Sequence, residues 1–377
     1  MIDDAHLTHG LAGDSQAPDW PPLTGAELTS VLDGYPGLDG PREILWHSPR
    51  PLSAAARVRT AGGEVFVKRH HVSVRDEPTL AGEHRFAAHL RERGIPVPRV
   101  LIDARGRTTY RIGDWTYEVH EPATGKDIYR DAFSWSPIGG TAHAHAAGAM
   151  LARLHMAARD YVAPQRPTHL LVARAEILAA ADPLATIDAQ CAGRPALAGY
   201  LSERDWRGEI GAAMAPWHAR AVAGIAAQPR LWTHGDWHVS NLCWSDTGDA
   251  ARITDVLDFG LSAATFALFD LATAIERNAI AWLAMGQGEI AHADLALALV
   301  DGYRSVIPLG AADLALLAEV LPLVHVDFAL SEVEYFEGVT RRREHADVAY
   351  HTFLLGHARW FAGAEGQALL AAIRHAA

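Results

Sequence analysis

Residues 232–260, W-T-H-G-D-W-H-V-S-N-L-C-W-S-D-T-G-D-A-A-R-I-T-D-V-L-D-F-G, constrain this chain more than any other stretch. They hold two clusters of polar side chains separated by the pattern of a β-hairpin. Residues 242–244 form a short apolar strand. Residues 245–249 carry turn chemistry, with Gly248 free to take a positive φ, and 252–257 rise again with strand character. A hairpin returns its two ends to one place. Asp236 and Asn241 on one side therefore approach Asp258 on the other, and three oxygen-bearing side chains converge beside a tight turn.

That set suits phosphoryl transfer. Mg²⁺ prefers hard oxygen ligands, usually one or two carboxylates completed by phosphate oxygens and water. Asn241 and Asp258 can supply such ligands, which leaves Asp236 to accept the proton of an attacking hydroxyl. The spacing from Asp236 to Asn241 is that of the catalytic loop H-R-D-x-x-x-x-N, and D-F-G follows at 258–260. The run His234-Gly235-Asp236-Trp237-His238-Val239-Ser240-Asn241 and the D-F-G turn together resemble the aminoglycoside phosphotransferase and choline kinase family. Gly235 and His238 point to these small-molecule kinases rather than to protein kinases, and no A-P-E segment follows D-F-G.

The resemblance implies an α+β, protein-kinase-like, two-lobed fold with a small β-rich N-lobe and a large, mostly helical C-lobe. It implies ATP (or another NTP) and Mg²⁺ as cofactors, and transfer of the γ-phosphoryl group to a hydroxyl of a small molecule. Aminoglycosides, amino sugars, and choline- or homoserine-like alcohols are acceptors within the family. In this frame Asp236 is the catalytic base, Asn241 and Asp258 hold the metal, and His234, His238 and Asp270 (opening the Asp-Leu-Ala at 270–272) give structural support. Two other readings fit the same residues. One is a nucleotide-binding pseudo-kinase that acts through partners. The other is a metal-dependent hydrolase on His234, Asp236 and His238, since histidines four apart on a helix share a face.

The same resemblance divides the chain into an N-terminal arm (1–40), an N-lobe (41–121) and a C-lobe (122–377). The arm is rich in Gly, Pro and Asp and reads as loosely held, with one short helix near 25–32 and Trp20 available to pin it. Strands are expected at 44–47 and 55–59 around a loop that would cover the phosphates. That loop has no glycine, so Ser48 and Ser53 stand as donors in its place. Residues 57–60 and 64–68 read as a hairpin turning at Gly62-Gly63, and the second strand ends in Lys68, placed to reach phosphates. Residues 79–93 carry an amphipathic helix closed by Gly94. Its Glu83 resembles the glutamate that pairs with the strand lysine. Further strands are expected at 99–103, 108–112 and 115–120. The last runs into the hinge, where backbone groups of Glu121 and Ala123 would bond adenine.

Beyond the hinge the chain reads as helical. Helices are expected over 142–159, 173–181, 208–227, 269–285, 292–305, 310–321, 324–336, 342–362 and 366–375, with His155 a packed histidine. Asp327, Glu334 and Glu337 fall on one helical face at spacings of seven and three, with Glu332 nearby; the resemblance implies that acids on these C-terminal helices bind a substrate ammonium group. A net charge of −12 disfavours nucleic acid as a partner. Two unpaired cysteines, the absence of a basic, apolar leader, and apolar runs shorter than a membrane span lead to the expectation of a cytoplasmic protein without a membrane partner.

Overall fold

The computed structural model describes residues 18–376 except 49, 51, 133 and 134. The N-terminal part is an antiparallel sheet of five strands, β1 (Glu43–His47), β2 (Ala54–Thr60), β3 (Gly63–His71), β4 (Tyr110–Ile112) and β5 (Trp115–His120), in the order β1-β2-β3-β5-β4. The β2–β3 turn needs glycine. Gly63 has φ +119, and a Cβ on Gly62 would stand 2.0 Å from the Gly37 carbonyl oxygen.

That contact shows how closely the N-terminal segment is held. Helix α1 (Gly25–Leu32) starts with a capping box between Thr24 and Glu27. Leu23, Leu28, Val31, Leu32, Tyr35 and Leu38 share one core with Ala56, Val58, Val65, Val67, Tyr117 and Val119 of the sheet. Trp20 stacks on His71, and the Asp19 carboxylate accepts from Tyr335 of the helical region. Residues 18–40 are therefore an integral layer rather than the loose arm expected. Their glycines and prolines obscure an apolar stripe that covers the sheet.

Helix α2 (Glu77–Glu92) is capped by Asp76, whose carboxylate accepts from the Thr79 N–H at 2.9 Å. It buries Leu80, Phe86, Ala87 and Leu90 and ends before Gly94, whose φ is +85. The strand expected at 99–103 is reduced to a single bridge between Val100 and His120. Asp103 instead folds the chain into a turn by accepting from the Arg105 and Arg107 N–H groups.

The C-terminal part is helical around the main core. Helix α3 (Thr141–Ala158) crosses the helix Ala293–Arg304 with backbones nearly touching. A Cβ on Gly148 would lie 2.0 Å from the Leu299 oxygen, and one on Gly302 would lie 1.9 Å from the His145 oxygen. The helix expected at 173–181 is only the turn Glu176–Ala179, whereas Trp206–Ala226 is a full helix that buries Trp206 and Trp217 in the core. The helix expected at 269–285 is Ala267–Asn278, ending where the Asn278 amide turns back to donate to the Ala274 and Trp237 carbonyls. The one expected over 342–362 is interrupted by a π-turn at Ala349–Leu354. Among the described residues one run, Ala311–Thr340, is long and apolar enough to cross a membrane, and 83% of its most apolar window is buried inside the protein.

Candidate active site

Two short ribbons hold the 232–260 stretch. β6 (Leu231–Thr233) pairs with β9 (Ala263–Thr265), and β7 (Leu242–Trp244) pairs with β8 (Ile253–Val256), all antiparallel. The loop with Asp236 joins β6 to β7, and the loop with Asp258 joins β8 to β9. Both loops therefore leave the same pair of ribbons. Cross-links tighten them: the His234 Nε2 faces the Leu257 oxygen at 2.9 Å, and the Leu257 N–H donates to the Asn241 oxygen at 2.8 Å. Gly235 takes φ +77, and a Cβ there would meet Ala173 Cβ at 2.7 Å and the Leu261 oxygen at 2.8 Å. No other residue fits that corner.

Asp270 fixes the loop from behind. It sits in the first turn of Ala267–Asn278, fully buried, and its two oxygens accept from the His234 and Gly235 N–H groups at 2.8 Å each. His155 of α3 lies 3.0 Å from the same carboxylate and is itself held by the Tyr303 hydroxyl at 2.8 Å. Burial works against ionising Asp270, but these donors and the neighbouring imidazoles prevail and hold its carboxyl below the usual value.

At the front, the Asn241 side-chain amide donates to the Asp236 backbone oxygen (2.8 Å) and to Asp236 Oδ2 (3.0 Å). That orients the amide and leaves its carbonyl oxygen with no donor among the described residues. Asp258 adopts φ 53, a left-handed conformation uncommon outside glycine. Its carboxylate accepts from the Gly260 N–H at 3.1 Å and meets the Lys68 ammonium at 2.9 Å. Burial opposes both charges, yet their mutual attraction keeps Asp258 well below, and Lys68 above, its ordinary value. An oriented amide oxygen and an ionised carboxylate, on loops tied by the Leu257 N–H to Asn241 carbonyl bond, are donors of the kind a hard divalent cation such as Mg²⁺ takes.

The expected Lys68–Glu83 pair is not formed. Glu83 is buried against two arginines, Arg75 (2.6 Å) and Arg166, and their guanidinium groups also hold the Gly260 carbonyl. Lys68 instead has Asp258 as its ion-pair partner, and Glu118 lies across from it in the β3–β5 register. Glu118 is the hub of a histidine cluster: His70, His84 and His120 all contact its carboxylate within 2.9 Å. In the hinge, the Glu121 N–H donates to the Arg99 oxygen. The Glu121 carbonyl and the Ala123 N–H make no bond among the described residues, while Asp255 anchors the next turn through the Thr124 and Gly125 N–H groups. Ser48 and Ser53 flank the β1–β2 loop, and the Ser48 hydroxyl accepts from the Arg50 N–H at 3.3 Å.

The hydrolase reading of the histidines does not survive. His238 Nδ1 is taken up by the Ser240 hydroxyl at 2.7 Å, and both His234 nitrogens are engaged within the loop. The acidic face also divides differently from expectation. Glu334 pairs with Arg194 (2.5 Å), Glu337 with Arg343 (3.1 Å), and Asp327 is buried with its largest opposing charge on Arg194. None of the three lines the cavity beside Asp236; Glu332 does, with Glu276 and Arg277. Arg277 was not anticipated. It pairs directly with Asp236 Oδ1, from the helix whose first turn carries Asp270.

A homoserine kinase of Polaromonas naphthalenivorans (strain CJ2) is 27% identical over 229 residues, 61% of this chain and 62% of that protein. The chain thus spans somewhat under two thirds of that relative's length. Among solved structures, a microcompartment-associated aminopropanol kinase superposes with TM-score 0.62 at 17% identity, over 91% of this chain and 99% of that one. The amicoumacin kinase hAmiN, in complex with AMP-PNP, Ca²⁺ and Ami, gives TM-score 0.55 at 16% identity over 87% and 93%. These likenesses show a shared kinase-like fold. The sequence profile of the phosphotransferase enzyme family matches residues 52–309, and the chain belongs to that family.

Proposed function

We propose that this protein transfers the γ-phosphoryl group of ATP, or another NTP, to a hydroxyl of a small, amine-bearing molecule in an Mg²⁺-dependent reaction. The observation that carries the reading is two side-chain pairs, Asn241 on Asp236 and Lys68 on Asp258, on loops tied together by the Leu257 N–H to Asn241 carbonyl bond. The names of the homoserine and aminopropanol kinases favour an amino alcohol as acceptor. Mg²⁺ held by the Asn241 oxygen and the Asp258 carboxylate would offset phosphate charge.

The chain's own residues do the rest. Asp236 orients the acceptor hydroxyl and takes its proton as the new O–P bond forms and the bond from the γ-phosphorus to its bridging oxygen breaks. Lys68 turns from Asp258 toward the phosphates. The Glu121 carbonyl and the Ala123 N–H receive the adenine, with Ser48 and Ser53 donating to phosphate oxygens. The intact Asp236 and Lys68 favour turnover over a pseudo-kinase role, and dependence on ATP points to the cytoplasm. Catalysis of this kind comes from positioning and electrostatics.

The test is Mg·ATP binding and phosphate transfer to pooled hydroxylated amines, by wild type and Asp236→Asn. The variant should bind Mg·ATP and lose about 10²–10⁴-fold in kcat, the usual contribution of a general base. Near-wild-type turnover by Asp236→Asn would remove Asp236 from the mechanism.

A further inference from the structure

A narrow, largely enclosed cavity adjoins the catalytic loop. Gly235 forms part of its wall, and Trp135, Glu276, Arg277, Phe328, Glu332 and Phe353 define its chemistry. Its charges do not balance. Glu332 is 1% exposed, and neither of its carboxylate oxygens has a hydrogen-bond partner; Glu276 is 2% exposed, and its Oε1 makes no hydrogen bond, with the His357 Nδ1 3.5 Å away. Arg277 is the one cationic side chain among the described lining residues. It pairs with Asp236, lies 3.8 Å from Glu276 Oε2, and packs its guanidinium over Phe328 (5.1 Å) and Trp135 (5.6 Å).

Three carboxyl groups, Asp236, Glu276 and Glu332, therefore face a single guanidinium. Buried acids left in this state neutralise themselves by keeping a proton. Burial pushes Glu332 up to about 8 and Glu276 to about 7. The imidazoles around them bring no compensating charge at neutral pH: burial holds His325 down to about 4 and His357 and His238 down to about 3. Aromatic faces beside unpaired acids are the surroundings a desolvated ammonium requires.

We infer that this cavity is the acceptor end of the active site and takes a compact alcohol bearing an ammonium group, with the ammonium against Glu332 and Glu276 and the hydroxyl on Asp236. The inference rests on the kinase reading of Asp236. Arg277 marks the place in the empty site. Its cation lies over the aromatic rings, and its N–H occupies the Asp236 oxygen that an acceptor hydroxyl must reach, so acceptor binding moves Arg277 off the base. The free space is about 10 Å³, enough for a single water, so the acceptor takes the volume that the Arg277 guanidinium vacates, and that volume between Trp135, Phe328 and Phe353 admits a compact amine rather than a multi-ring one. Amino alcohols and hydroxy amino acids share the required chemistry, and among the described lining residues Arg277 is the cation available to favour the carboxylate of the latter.

The experiment uses the full chain with Mg·ATP and five acceptors: aminopropanol, ethanolamine, homoserine, propanediol and kanamycin. The compact amines should exceed propanediol in kcat/KM by about tenfold or more, the value of a charge-assisted hydrogen bond, with kanamycin inert. Homoserine and aminopropanol then separate the two sources of the ammonium. Glu332→Gln should raise KM for the amine by about tenfold and erase the preference over the diol; Glu276→Gln serves if Glu332→Gln does not fold. Calorimetry in buffers of different ionisation enthalpy should show proton release when the amine binds wild type at neutral pH, a readout that a merely structural Glu332 would not give.

Transfer to propanediol or kanamycin with the compact amines inert would overturn the inference and leave the kinase standing. Mg·ATP binding without calorimetric binding of any amine would overturn it as well. Failure to bind Mg·ATP, with no transfer to any acceptor, would bring down the kinase reading itself.

Discussion

Glu83 shows how far a residue's role depends on what the fold sets beside it. Its place in α2 suggests a partnership with Lys68, yet its carboxylate is buried between Arg75 and Arg166, which in turn hold the carbonyl of Gly260. Glu83→Gln would leave two buried guanidinium groups short of their counter-charge. Breaking such a set costs about 3–5 kcal/mol. Chemical denaturation should show a loss of that order, with the ATP KM of the surviving folded fraction little changed. The opposite pattern, intact stability and a raised ATP KM, would restore the Lys68–Glu83 partnership. The juxtapositions legible in the sequence were those fixed by short spacing: Asp236, Asn241 and Asp258 flank one hairpin, whereas the strand expected to end at Lys68 runs on to His71. Arg277 and Glu332 were not legible as site residues, because which face of a buried helix looks toward Asp236 is decided by packing. Glu332 stands roughly 140° around the helix from Asp327 at 3.6 residues per turn, so the periodicity selected the other face.

At the scale of elements, strands and long helices were legible because their apolar periods are strong. Trp115–His120, Leu242–Trp244 and Gly25–Leu32 lie where the pattern puts them. The single turn Glu176–Ala179 and the π-turn Ala349–Leu354 were not, since both depend on neighbours distant in sequence. The element that matters most to the site is the helix Ala267–Asn278. Its Asp270 pins the loop's backbone at one end, and its Arg277 touches Asp236 at the other. Asp270→Asn removes the charge from two hydrogen bonds worth about 1.5–3 kcal/mol each and frees the corner that aims Asp236. Turnover should fall by at least about tenfold, up to the 10²-fold that ångström-scale misplacement costs, while Mg·ATP affinity stays near wild type. Parallel titration calorimetry and steady-state kinetics check this. A loss of stability with unchanged kcat would make Asp270 a brace for the fold alone.

For the whole molecule, buried acids and histidines of the C-terminal part set a pH dependence whose sign can be worked out. Glu332 moves from an ordinary 4.5 to about 8, Glu276 from 4.5 to about 7, and Asp327 from 3.8 to about 7. Each keeps a proton in the folded state that the unfolded chain has already lost. Their contribution is complete below the unfolded value and drains away as pH rises through the folded one. His238, His325 and His357 move the other way, from 6.5 to about 3, 4 and 3. Their contribution is complete above 6.5 and is lost as pH falls toward the folded values. Between about pH 4.5 and 6.5 the two sets oppose each other, and above 6.5 only the acids act. The urea midpoint of the acceptor-free protein should therefore peak on the acid side of neutrality and fall steadily from pH 6.5 to 8. Glu332→Gln, which has no proton to lose, should flatten that fall, and a saturating compact amine should do the same by pairing with the ionised carboxylate. A midpoint that holds constant or rises from pH 6.5 to 8 would mean that Glu332 and Glu276 are already ionised in the empty cavity, with counter-charge supplied from within the fold.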